Sequence, residues 1–213
     1  MIHGCLWLRG GVIAAVDSGS RIPAAAVDCD GDLVLPGLVE LHTDNLEWHV
    51  QPRPGVGWPH SAAILAHDAE LAGAGITTVF DAIRVGSLLQ GSVRYDRYAR
   101  PLATEVLALR AAGALKISHR LHLRAEICSD TLPDELAEFS PADDVGVVSL
   151  MDHTPGQRQF RDINKLAGYV MARHQMTKGQ FADHVAQLQA LSARVAVGHR
   201  AVALAEAARI GAV

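Results

Sequence analysis

The chain has 213 residues, 49% of them hydrophobic and 20% charged, with a formal net charge of −4. That suits a globular chain with a sizeable core, and the scattered basic residues give no electrostatic case for nucleic acid or an anionic membrane as partner. No apolar run reaches the ~18 residues of a membrane span, and the opening "MIHGCLWLRGG" lacks the regions of a signal peptide. Three widely spaced cysteines, Cys5, Cys29 and Cys128, suggest neither a disulfide framework nor a zinc site. Each is expected to be a small buried hydrophobe, and a cytoplasmic location fits.

Residues 1–35 read as a small β-unit. In "CLWLRGGVIAAVD" two apolar runs flank Arg9-Gly10-Gly11, a hairpin signal. "AAAVDCDGDLVLPG" follows, with Asp30-Gly31 as a turn and Pro36-Gly37 as a break. From residue 36 strands and helices alternate. Strands are expected at 38–42, 76–83, 120–127 and 145–153, the first and last as nearly continuous apolar runs of the kind covered on both faces. Ser61 is expected to cap a helix carrying Leu65, Ala69 and Ala72 and ending near Gly73 and Gly75. Leu102, Val106 and Leu109 recur at helical spacing after Pro101, and Thr177 with Gln180 forms a capping box before Phe181, Val185 and Leu188. An alanine-rich helix around 200–210 meets Gly211.

Alternating β and α with a parallel sheet leaves a doubly wound sheet or a (β/α)8 barrel. No G-x-G-x-x-G follows any strand. Polar groups gather instead at the strand ends: His42 and Asp44, Asp81, Glu126, then Asp152 and His153. Groups at the C-terminal ends of several strands point to the barrel.

His42 and Asp44, at i and i+2, present an imidazole and a carboxylate on one side of a strand, a ligand pair for zinc or manganese. The competing reading makes Asp44 a helix cap beside a structural histidine. His122, Arg124 and Glu126 also share one face. Either they pair with one another, or they face a metal and an anionic substrate, with Glu126 able to bridge two metal ions. His153 is a further ligand candidate, and Asp152, of opposite parity, orients a neighbour or points away. Asp81 and Glu126 are the candidate catalytic groups. Arg84, near Asp81, and Arg53, on the Pro- and Gly-rich loop 51–59, are placed to meet phosphate oxygens. His3, His60, His67, His174, His184 and His199 are treated as surface or packing residues.

"DLVLPGLVELHTD" resembles the first barrel strand of the amidohydrolase superfamily, although H-x-H is commoner there than His42-Thr43-Asp44. "LPGLVELHTDNLEWH", "AHDAELAGAGITTVFDA" and "SLMDHTPGQRQFRD" are narrower and resemble the PhnM family of phosphonate-metabolism diphosphatases, from about residue 30 to the end. The resemblance implies hydrolysis dependent on one or two divalent metal ions. Pyrophosphate would be released from a ribose methylphosphonate triphosphate, leaving a 5-phosphate for carbon–phosphorus lyase. His42, Asp44, Glu126 and His153 would serve the metals. Arg53, Arg84, Arg124 and Arg158 would meet the triphosphate, by charge alone. A full barrel takes ~250 residues, so the resemblance covers about the first four βα units. The expectation is a truncated product, fragment or piece of a split protein, weakly active unless a second copy or a complementing C-terminal half-barrel chain supplies the rest. The alternatives are an amidohydrolase acting on a C–N bond, a deaminase or N-acyl hydrolase, and a non-catalytic half-barrel that binds a partner.

Overall fold

The computed structural model of the chain describes every residue except 54, 55, 88, 91, 92, 95, 96 and 175, and only the backbone of 89, 90, 93, 94, 169 and 172–174. The chain divides into two units, residues 1–36 and 37–213. In the first, β1 (Gly4–Arg9) pairs antiparallel with β2 (Val12–Ser18) around Gly10 and Gly11, both at positive φ. The expected hairpin is there, but residues 21–35 form no further strand. The Asp28 carboxylate accepts from the Asp30 N–H (2.9 Å), and the Cys29 carbonyl accepts from the Asp32 N–H (2.8 Å). Such local bonds offer the backbone an alternative to a sheet ladder.

In the second unit all four expected strands form: β3 (Leu38–Thr43), β4 (Ile76–Val85), β7 (Ser118–Glu126) and β8 (Val145–Met151). They lie in the order β3-β4-β7-β8, every pair parallel. The result is an α/β unit with a curled four-stranded sheet, compatible with part of a TIM-type barrel. A short antiparallel pair, β5 (Leu89–Gln90) and β6 (Val93–Arg94), follows β4. The helices are α1 (Asn45–Val50), α2 (His60–Gly73), α3 (Ala99–Ala111), α4 (Leu132–Leu136), α5 (Ile163–His174) and α6 (Lys178–Ile210).

Strand parity divides the sheet into two faces. Ile83 and Val85 of β4 and Leu121, Leu123 and Ala125 of β7 join one apolar core with Phe139 and with Ile64, Leu102, Val106, Leu132, Leu136, Ala203 and Ile210 from the helices. The opposite face carries Ala82, Arg84, His122, Arg124 and Glu126. Gly146 of β8 is required by close approach: a Cβ there would lie 2.6 Å from Phe80 Cε1.

Several local expectations shift. Pro59, not Ser61, occupies the N-cap position of α2. Its buried face is Ala63, Ile64, His67, Asp68 and Leu71, whereas Leu65 is 42% exposed. The expected capping box at Thr177 forms, but it opens one 33-residue helix that runs to the Gly211 cap. Of the cysteines only Cys128 is buried; Cys5 is intermediate and Cys29 exposed. Among the described residues no helix is long and apolar enough to cross a membrane.

Candidate functional site

The face opposite the helices is where the site has to be sought, because β7 buries three polar side chains there. Arg124, 8% exposed, reaches over to the start of α1. Its Nη1 donates to Asp44 Oδ2 (3.1 Å) and its Nη2 to Glu47, which also accepts from the Tyr98 hydroxyl. Arg84, the registered neighbour of Arg124, stacks over the Tyr98 ring at 5.6 Å. Burial and the Glu47 charge push the Tyr98 phenol far above its ordinary range. Asp44 stands at the N-cap position of α1 but makes no capping bond. It is neither a helix cap nor a free carboxylate, but the partner of an arginine.

Glu126, fully buried at the end of β7, accepts from the His153 backbone N–H (3.0 Å), from His153 Nδ1 and from the Cys128 thiol (3.0 Å). Burial pushes its pKa up, and the bonds and charge from His153 outweigh that, so the carboxyl is held below its usual range. Beside it, burial and the Glu126 charge push the Cys128 thiol up to about 12, so this cysteine is no thiolate nucleophile. Asp152 turns back onto the chain two residues on, accepting from the Thr154 hydroxyl (2.6 Å).

His122 spans the face. Its Nδ1 lies 2.9 Å from the Leu41 carbonyl of β3 and its Nε2 2.7 Å from Ser149 Oγ of β8. The His42 ring sits against it edge-on, 4.8 Å between centroids. Burial, with the His42 and Arg124 charges, lowers the His122 pKa against the raising effect of the Leu41 carbonyl. The ring is neutral at neutral pH.

Asp81 is not on this face. It is 0% exposed among the helices, where it accepts from His67 Nε2 (3.0 Å) and His119 Nδ1 (2.7 Å). His119 Nε2 meets Asp68 Oδ1 at 3.3 Å, and Asp68 in turn accepts from the N–H groups of Lys116 and Ile117. This network explains the face of α2: the helix turns His67 and Asp68 inward because β4 and β7 offer Asp81 and His119. His67 is a packing residue, though nowhere near the surface.

Sequence reasoning missed another buried acid. Glu135 of α4, 3% exposed, accepts from Gly86 N (2.9 Å), Ser87 N (3.2 Å), Ser87 Oγ (2.9 Å) and Thr131 Oγ1 (2.6 Å). It fixes the backbone that leaves β4 just beyond Arg84. The signal available was an acid on a short helix beside Leu132 and Leu136, both buried. Arg53 stays exposed on a loop and Arg158 exposed at the start of a short 3-10 helix, Arg158–Phe160. Arg53 bridges backbone to Val56, and the charge of Arg158 helps hold Asp152 in its anionic form.

His42, Asp44, Glu126 and His153 therefore lie at the strand ends where they were expected, but as separate contacts. Asp44 is paired with Arg124 and Glu126 with His153. Among the described residues no three His, Cys, Asp or Glu side chains form a group able to hold a metal ion. In this arrangement the four do not fit a divalent metal.

No protein-family model matches the chain. No solved structure matches it. It is similar to the alpha-D-ribose 1-methylphosphonate 5-triphosphate diphosphatase of Escherichia coli, 37% identical over 195 residues, which is 91% of this chain and 51% of that protein. Through nine-tenths of its length the chain is thus related in sequence to that diphosphatase, and it spans about half of it.

Proposed function

We propose that the chain is one part of a cytoplasmic hydrolase of the amidohydrolase kind. The whole protein would cleave alpha-D-ribose 1-methylphosphonate 5-triphosphate to pyrophosphate and the 5-phosphate in phosphonate catabolism. The observation that carries this reading is the 37% identity to the E. coli diphosphatase across nearly the whole chain. The paired arginines support it. Arg84 and Arg124 are side by side at the C-terminal end of the sheet, the end at which barrels place their chemistry. Guanidinium groups match phosphoryl oxygens in geometry and charge.

In this reading Arg84 binds a phosphoryl group, and Arg124 keeps Asp44 and Glu47 in place beside it. Glu126 holds the Nδ1 proton of His153, which leaves Nε2 open toward a substrate or water. A complementing chain would complete the barrel and supply the ligands of a zinc or manganese ion. The test is pyrophosphate release from the triphosphate, with zinc or manganese supplied. The chain is assayed alone and with a second polypeptide carrying the half of the relative it does not span. Pyrophosphate from the mixture and little from the chain alone is the expected result. Ammonia or a free amine from a C–N substrate, with no pyrophosphate in either case, overturns it.

A further inference from the structure

The His122–Ser149 contact has a feature that simple burial of two polar groups does not require. A carbonyl oxygen only accepts, so the 2.9 Å contact of Nδ1 with the Leu41 carbonyl puts the ring proton on Nδ1. Nε2 of the neutral ring then presents its lone pair, and Ser149 Oγ, 2.7 Å away, donates to it. The hydroxyl hydrogen is already directed at a base whose tautomer is set by a third group, the relation that activates serine nucleophiles.

Three strands hold this relation in place. His122 comes from β7 and Ser149 from β8, while Leu41 belongs to β3 and is reached past Ala82, the small registered neighbour of His122. The register between β3 and β4 shifts between Glu40 and Thr43, around the carbonyl that His122 uses. Arg124 is the registered partner of Ser149 on the same face. Its Nη atoms are held by Asp44 and Glu47, yet its buried Nε has no hydrogen-bond partner among the described residues. A fixed guanidinium whose Nε–H is unpaired, beside a hydroxyl on a base, suits a tetrahedral anionic centre. Ser149 itself is partly exposed.

We propose that Ser149 and His122 are a nucleophile–base pair, with Arg124 beside them, forming a covalent site for phosphoryl electrophiles that carry a good leaving group. The proposal does not rest on the pyrophosphate-releasing reading. Ser149 Oγ forms the new O–P bond, its proton passes to His122 Nε2, and the bond from phosphorus to the leaving group breaks, the leaving group departing with its electron pair.

The probe is diisopropyl fluorophosphate, whose leaving group is fluoride, applied to the full chain and followed by peptide mass spectrometry. The other serines of the chain are the internal reference. Ser149 is expected to gain one diisopropylphosphoryl group at least ~10²-fold faster than any of them, in line with the usual gain from a positioned base. S149A should abolish that adduct, and H122Q should bring the Ser149 rate down to that of the other serines. If H122Q fails to fold, as judged by near-UV circular dichroism, the comparison of serines within the native chain still decides. Ser149 labelled no faster than the other serines, or at an undiminished rate in folded H122Q, overturns the proposal and leaves the contact as a hydrogen bond across the sheet.

Discussion

At the scale of single residues, parity decides which acids and bases can meet. Asp81 and Arg84 are three apart on β4, so they lie on opposite faces, as do His119 and His122 on β7. The sequence announced that histidines and acids crowd these strands but not how the parities align between strands. That alignment depends on register, which a parallel pair fixes only when folded. The Asp81 network is expected to act on stability. Removing one partner of a buried charged pair costs on the order of 3 kcal/mol, so Asp81→Asn should lower the free energy of unfolding by about that much in urea titrations. The network also sets a pH window. Burial raises the Asp81 pKa, but bonds from His119 and His67 outweigh this and hold it below its ordinary 3.8. Burial lowers that of His119, but Asp81 and Asp68 outweigh this and hold it above 6.5. The Asp81 contribution is therefore full above 3.8 and lost as pH falls through its lower folded value. The His119 contribution is full below 6.5 and lost as pH rises through its higher folded value. Urea unfolding across pH should show the alkaline decline in the native chain and a shallower one in His119→Gln. An identical pH profile for the two proteins would remove the network from the account.

At the scale of elements, the apolar runs were enough to find all four staves, but the cover on both faces that such a run implies is missing from β3, which is largely exposed. Where the sequence misled, polar residues were the cause. His67 and Asp68 face the core of α2, so the helix face read from Leu65, Ala69 and Ala72 was displaced from the true one, centred on Ile64 and Leu71. In α6 an interior Gly198 and neighbouring Val195 and Val197 weaken the helical pattern, and two helices were read where there is one, ~50 Å long at 1.5 Å per residue. Packing holds it at both ends: Phe181 and Val185 against Leu166, and Ala203 and Ile210 in the main core. Gly198 meets nothing within 4 Å where a Cβ would stand. Gly198→Ala should therefore stabilise by about 0.5–1 kcal/mol, through backbone entropy alone. Gly146→Ala should do the opposite, since its Cβ would meet the Phe80 ring at 2.6 Å. Overpacking of that kind costs about 1–3 kcal/mol. Denaturant midpoints moving in the same direction for both substitutions would contradict the packing described for one of them.

At the scale of the molecule, the sheet has two sides with little to bond to. Among the described residues β3 pairs with β4 alone, and Leu38, Val39 and Leu41 along it are 60%, 58% and 60% exposed. On the far side of β8, Val213 donates its N–H to the Gly146 carbonyl (3.2 Å) and accepts from the Val148 N–H (2.9 Å). That is the bonding pattern of a parallel neighbour. The β3 side is thus open to a further strand, while Val213 begins the bonding of one beside β8, and the related diphosphatase is about twice as long as this chain. Unpaired edges with apolar side chains template association. The chain alone is expected to self-associate as its concentration rises in analytical ultracentrifugation and to bind an apolar dye. A polypeptide carrying the other half of the relative should form a one-to-one complex with it by native mass spectrometry, raise its melting temperature and suppress the dye signal. The gain in melting temperature should grow with the concentration of the second chain, because ligand binding to the folded state stabilises by mass action. A chain that stays monomeric at all concentrations, melts cooperatively and ignores the second polypeptide would mean that the four staves satisfy their own edges. The partnership inferred from β3 and β8 would then have no physical driving force.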